Sequence, residues 1–266
     1  RDDIPEAWRL IGEDPRDDVR APQFAQLVRA FMPDVLDLQE YSLHMHQRFY
    51  PLIRRYGYRI AYEGEEPWNN TPIFYNPETV ELVDVNYVLY APSCWSNIGS
   101  KSYTSAVFRK KDTGRLFAVV NTHLWWKSEA AQPGSTYARA AQVRLMMAEA
   151  EVLKNKYGCT IFVTGDMNAY EDSLPIRQFI EGGYTPCYKA ATDATDNGNG
   201  HHICGPKDGY SRTSRRRSPD REKGAIDHCF IYNAQEGVAV KVFDCITARF
   251  TVKLTDHYPY LIDAAL

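Results

Sequence analysis

Five places along the chain put acidic, amide or imidazole side chains at the end of an apolar run or inside one. They are Leu38-Gln39-Glu40, Asn121-Thr122-His123, Thr164-Gly165-Asp166-Met167-Asn168, Ile226-Asp227-His228 and Thr255-Asp256-His257. Taken singly, each has an ordinary explanation. Glu40 could open a helix, where an acid is favoured in the first turn. Asp166-x-Asn168 could be an Asx turn, His123 a satisfied core histidine and His257 a loop residue. Asp227 resists such a reading, because a carboxylate in an apolar strand is costly unless it has a partner.

Together they match what hydrolysis of a phosphate ester requires. That chemistry needs a divalent cation on hard oxygen ligands, a base for water, and donors for the charge that builds on phosphorus. Glu40 and Asp256 can supply carboxylates to a metal. Asp166 and Asn168 stand two apart at a strand end and suit orienting a water and the phosphate oxygens. His257 can take the proton while Asp227 fixes its tautomer, and His123 can donate to a non-bridging oxygen.

Other residues bear on substrate. Trp125 and Trp126, followed by Lys127, either pack under a loop or line a substrate rim, and the rim is the reading taken. Residues 211–223 hold the one strong local charge bias. Arg215, Arg216 and Arg217 run from there toward Asp227, so one end of that stretch is tethered beside a proposed catalytic residue. An arginine fork matches phosphate oxygens, which makes this a phosphate-reading loop, the alternative being a solvated one. Arg139 and Arg144 are read as a solvated helix face. His44-x-His46 and His201-His202 hint at a transition metal, but no cysteine or third spaced ligand completes such a set.

These groups must be positioned by strands and helices. A helix is expected from Pro22, with Phe24, Leu27, Val28 and Phe31 at helical spacing and Pro33 ending it. Strands are expected at 35–38, 73–75, 80–90, 104–108, 116–120, 161–163, 226–232, 238–243 and 258–262. The best helix is 137–157, where Val143, Met146, Ala150, Leu153 and Tyr157 step by three and four up to Gly158. Residues 1–20 are acidic and read as irregular, as does 185–224. No repeat or linker divides the chain, so one α/β domain spans 1–266.

The chain has 266 residues, enough to bury a core without disulfide or metal staples. Lys plus Arg number 31 and Asp plus Glu 34, a formal charge of −3. That balance argues against a non-specific nucleic-acid binder, which shows a basic excess. No apolar run is long enough to span a membrane, so a soluble protein is expected, with its compartment (extracellular or cytoplasmic) not legible. The chain begins at Arg1, which reads as a processed or trimmed product. Six cysteines occur singly and are read as buried free thiols.

The motifs resemble the endonuclease/exonuclease/phosphatase superfamily, which has the pancreatic-deoxyribonuclease fold. The likeness runs from about Ala21 to the C-terminus. It includes the helix into Pro33-Asp34-Val35-Leu36-Asp37-Leu38-Gln39-Glu40, then Asn70-Thr71-Pro72-Ile73-Phe74-Tyr75, Asn121-Thr122-His123-Leu124, Gly165-Asp166-Met167-Asn168, Ile226-Asp227-His228 and Thr255-Asp256-His257-Tyr258-Pro259. The resemblance implies a four-layer α/β sandwich, two packed and mostly antiparallel sheets flanked by helices, with a magnesium-dependent site across the sheet ends. It implies Glu40 as metal ligand, Asp256 as a second metal-site acid, and Asp166 and Asn168 as the phosphate- and water-positioning pair. Asp227–His257 would be the base dyad and His123 the transition-state donor. Two departures stand out. Residues 1–20 lack the family's first strand and its Asn, and the acid that in some members supports the first histidine falls near Asn69 or Asn70, both amides.

The expectation is therefore a phosphoesterase using Mg²⁺ or Mn²⁺ and an activated water, on a phosphodiester or phosphomonoester. The substrate class stays open among nucleic acid, inositol phosphate or phosphoinositide, and other phosphorylated molecules. No membrane insertion is expected, and a monomer is. The rival reading is a non-catalytic binding module that retains the fold.

Overall fold

The computed structural model describes residues 16–64, 68–90, 101–194, 225–246, 255 and 257–266. In chain order its elements are α1 (Asp17–Phe31), β1 (Val35–Asp37), α2 (Leu43–Arg54), β2 (Arg59–Ile60), β3 (Ile73–Tyr75), β4 (Val80–Leu89), β5 (Ser102–Lys110) and β6 (Leu116–His123). There follow α3 (Ser135–Tyr157), β7 (Thr160–Asp166), α4 (Leu174–Glu181), β8 (Thr185–Pro186), α5 (Cys187–Ala190), β9 (Asp193–Ala194), β10 (Asp227–Tyr232), β11 (Ala239–Cys245) and β12 (Tyr260–Ala265).

Four layers result, each joined to the next by its own apolar contacts. A six-stranded sheet runs β4-β5-β6-β7-β10-β8, and two three-stranded sheets run β1-β3-β2 and β12-β11-β9. One face of the large sheet, with Val107, Val120, Ile161, Val163 and Phe230, packs on Val143, Met146 and Leu153 of α3 and Ile176 and Phe179 of α4. The opposite face, with Ala106, Val119, Phe162 and Ile231, meets Ile73, Tyr75, Val240 and Phe243 of the small sheets. Beyond those lie α1 and α2, whose Ala25, Val28, Phe49 and Ile53 cover Phe74. Among the pairings of the described residues only β6–β7 and β11–β9 are parallel. The sandwich architecture expected from the motifs is borne out.

Several boundaries differ from expectation. Helix α1 starts at Asp17, inside the segment expected to be irregular, and Pro22 sits in its interior. Asp17 and Asp18 lie in the first turn, where carboxylates complement the helix dipole, so the start lies upstream of the proline. Helix α2 was not foreseen. Ser42 caps it by accepting from the Met45 backbone N–H at 3.0 Å, and Met45, Phe49 and Ile53 form its buried edge. The stretch read as irregular from 185 contains β8, α5 and β9 before residue 195, where description stops. Cys159, Cys187 and Cys229 are free thiols, and they and Cys245 are buried.

Candidate active site

The site lies across the strand ends of the large sheet, and ladder register sets its spacing. Parallel pairing of β6 with β7 puts His123 beside Asp166. Antiparallel pairing of β10 with β7 puts Asp227 beside the same Asp166, so the start of one strand meets the end of the other. Three motifs far apart in sequence thus form one lateral row. The strands approach closely there, and Gly165 is what permits it. Its φ is +139°, and a Cβ would stand 2.0 Å from the Thr122 carbonyl oxygen.

Two carboxylates directly opposite on a ladder repel one another unless a cationic or donor group intervenes. His257 supplies it. Its Nδ1 lies 2.7 Å from Asp227 Oδ2, and since a carboxylate only accepts, Nδ1–H is the donor. Its Nε2 lies 4.0 Å from Asp166 Oδ2. Burial by itself would raise the Asp166 pKa. His123, His257 and the Asn168 backbone N–H, which donates to Oδ1 at 2.8 Å, outweigh that and hold the carboxyl well below the usual range.

Lys101 was not foreseen, and it completes the row on the β5 side. The residue is 4% exposed, and its Nζ lies 2.5 Å from His123 Nε2. That same ring nitrogen faces Asp166 Oδ2 at 3.3 Å. Burial pushes the Lys101 ammonium down to about 8, against the pull of Asp166 and Glu40. His123 Nδ1 is buried without a hydrogen-bond partner among the described residues. Neither Asn69 nor Asn70 therefore supports it. Asn69 instead donates to the Tyr62 carbonyl and Thr104 Oγ1, and Asn70 donates to the Trp68 carbonyl.

Glu40 reaches the row from the other layer. It has left-handed backbone, φ +54°, as does Asn168 at +47°, conformations that a non-glycine residue holds only when its surroundings enforce them. Asn121 provides that enforcement. Its Nδ2 donates to the carbonyls of Leu38 (2.8 Å) and Pro72 (3.0 Å), and its Oδ1 accepts from Gln39 Nε2 at 2.7 Å. Asp37 adds a third tie by accepting from Thr164 Oγ1 at 2.6 Å. The Glu40 carboxylate, 78% exposed, ends 4.0 Å from His123 Nε2.

The other sequence candidates divide. Trp125 is buried, with its indole N–H on Ser135 Oγ at 3.2 Å, while Trp126 is 55% exposed. Arg139 is buried at 7% exposure rather than on a solvated face, because its guanidinium binds the carbonyls of Trp125 and Lys127. His44 and His46 are engaged by Asp17 and Glu63. Asp256, His201, His202, Arg215, Arg216 and Arg217 lie outside the described residues.

Among the described residues, Asp166, Asp227 and His257 form a cluster whose ligand atoms all lie within 4.8 Å of one another. His257 Nδ1 and Asp227 are engaged with each other, which leaves the carboxylate oxygens of Asp166 and of Glu40 across His123, donors that fit a hard divalent cation better than a thiophilic one.

No curated protein matches the chain. Solved structures do. An endonuclease/exonuclease/phosphatase from Bacteroides vulgatus superposes with a TM-score of 0.70 at 21% identity, over 97% of this chain and 91% of that one. A mannosyl-6-phosphatase of Bacteroides thetaiotaomicron gives 0.71 at 18%, over 94% and 92%. The human Nocturnin catalytic domain with bound sulfate gives 0.65 at 19%, over 92% and 86%. The model of the Endonuclease/Exonuclease/phosphatase family matches residues 12–257, a span that holds every group of the row. The chain belongs to that family.

Proposed function

We propose that the chain hydrolyses a phosphate ester with an activated water and a divalent cation, Mg²⁺ or Mn²⁺. The observation that carries this reading is the 4.0 Å gap between His257 Nε2 and Asp166 Oδ2. It is too long for a direct hydrogen bond and short enough for one water to bridge. With Nδ1–H committed to Asp227, Nε2 is an acceptor, and so is the Asp166 carboxylate. A bridging water donates both protons and presents its lone pairs to phosphorus. As the O–P bond forms, Nε2 takes one proton and Asp227 stabilises the imidazolium. The ester oxygen departs from the opposite face with the P–O bonding pair.

Lys101 and His123 are placed to meet the non-bridging oxygens, where charge accumulates. Glu40 and Asp256 would hold the cation, which when bound would polarise a phosphoryl oxygen. Asn168 holds the backbone beyond Asp166, its Nδ2 donating to the Leu124 carbonyl at 3.2 Å. Arg215, Arg216 and Arg217 are assigned to a second phosphate or other anionic part of the substrate, and Trp126 to the rim. A sugar phosphate joins the substrate candidates, since a structural neighbour is described as a mannosyl-6-phosphatase. The deciding experiment is a panel of phosphodiesters and phosphomonoesters assayed with Mg²⁺ and with EDTA. Hydrolysis in Mg²⁺ that stops in EDTA is expected. Full activity in excess chelator, or none on any ester, overturns the reading.

A further inference from the structure

Helix α3 carries buried polar groups at Ser135, Arg139 and Gln142, spaced four and three apart and so on one face. Each binds the segment that leaves His123. Gln142 Oε1 accepts from the Trp125 backbone N–H at 2.9 Å, and Ser135 Oγ accepts from its indole N–H at 3.2 Å. Arg139 Nη1 donates to the carbonyls of Trp125 (3.2 Å) and Lys127 (2.7 Å). The segment's other edge is bound to the site itself. The Leu124 N–H donates to the Asp166 carbonyl at 3.0 Å, and its carbonyl accepts from Asn168. Residues 124–127 are thus held from both sides. Arg139 is held there at a cost, because its Nε–H is buried without an acceptor among the described residues.

What this fixed segment presents is specific. Trp125 is covered, Trp126 is more than half exposed, and Lys127 Nζ stands 5.7 Å from both indole centroids. An exposed indole on an immobilised backbone binds a ring at small ordering cost. It stands three residues from the histidine assigned to the phosphate.

We propose that residues 124–127 are a preformed platform selecting phosphate esters whose alcohol carries a ring, with Trp126 stacking on the ring and Arg139 positioning the platform. This rests on the phosphoesterase reading of the site. The shared chemistry is a flat or C–H-rich ring next to a phosphate, from either a nucleoside or a sugar.

The test compares adenosine 5′-monophosphate, glucose 6-phosphate and ethyl phosphate, each also as its methyl diester. Two ratios of ring ester to ethyl ester are read, one of kcat/KM in Mg²⁺ and one of affinity by calorimetry in EDTA. Wild type should favour at least one ring ester. Trp126→Ala should lower that ratio about tenfold, the scale of one base–aromatic stack. Arg139→Met should lower it comparably, chiefly through KM. In the Trp126→Ala background Arg139→Met should add little, since coupled residues are non-additive. If Arg139→Met does not fold, Gln142→Leu is read in the same cycle. A fall with the nucleotide assigns a base, and a fall with the hexose assigns a sugar. A wild-type ratio near one overturns the proposal. So does a Trp126→Ala ratio equal to wild type, or an Arg139→Met loss equal on all esters and additive with Trp126→Ala. Absence of turnover with the ratio preserved in affinity would fail the catalytic reading and leave the platform standing.

Discussion

Two groups of side chains meet at this site, and they are held by different means. His123, Asp166 and Asp227 sit at one level of three neighbouring strands, fixed by backbone pairing. Glu40 comes from the small sheet that carries β1. It is tied down by side chains, through Asn121 on Leu38 and Gln39 and through Thr164 on Asp37. The first arrangement survives loss of any one side chain, because the ladder does not depend on it. The second does not, because its ties are side-chain bonds. Substitutions in the row should therefore remove chemistry and spare geometry, whereas substitutions in the ties should loosen geometry and spare chemistry.

The largest effect is expected at Asp227 of the row and at His257, which lies before β12 and is bonded to Asp227. His257→Ala should lower kcat by 10²–10⁴, the usual scale for a lost general base, and Asp227→Asn should be comparably harmful through the wrong tautomer. Both should keep the wild-type melting temperature within a few degrees, and a collapse of the fold in either would erase the contrast. Next comes Glu40→Gln. It should cost at least about a hundredfold in kcat at fixed Mg²⁺, and excess metal should recover part of that loss if the lost function is ligation. Titrating Mg²⁺ against rate checks it. Complete insensitivity to metal in both proteins would remove Glu40 from the metal site.

What could be read in the sequence follows the same division. Ladder-held residues end apolar runs, so an Asp or His there stands out against Val and Ile, and the fold could be ordered from those ends. Lys101 left no such mark, since a lysine before a strand usually faces water. Arg139 did leave one. It lies four before Val143 and seven before Met146, on the stripe that continues through Ala150 and Leu153, a periodicity that the reading of Arg139 as a solvated face passed over. Helix α2 was hidden because Pro51 and a run of polar residues mask the spacing of Met45, Phe49 and Ile53. Asn121 could be seen as polar in a strand. Its partners could not, because they are two backbone carbonyls and the Gln39 amide of another layer.

Asn121→Ala tests the ties directly. With Leu38 and Gln39 released, Glu40 should lose its enforced backbone. The Mg²⁺ concentration for half-maximal rate should rise about tenfold, as for other groups that orient ligands. The rate at saturating metal should fall much less. An equal fall in both would show that Asn121 acts on the row and not on Glu40.

The smallest effect concerns Asp37, the tie with a charge to lose. Burial pushes its carboxyl up to about 6, with Thr164 opposing, and Oδ1 has no partner. Because the folded pKa exceeds the unfolded one, the native state binds more protons between about pH 4 and pH 6. Stability is then greatest below the unfolded value and falls as pH rises through that window. At one unit per 1.36 kcal/mol the loss is at most about 3 kcal/mol, and an interior that relaxes around the charge should leave about 1. Asp37→Asn cannot ionise, and its Oδ1 can still accept from Thr164. The variant should show a flatter profile of denaturant midpoint from pH 4 to 8, gaining on wild type toward the alkaline end. Parallel profiles would mean that Asp37 is ionised throughout, and that its tie to Thr164 carries a charge the fold accommodates.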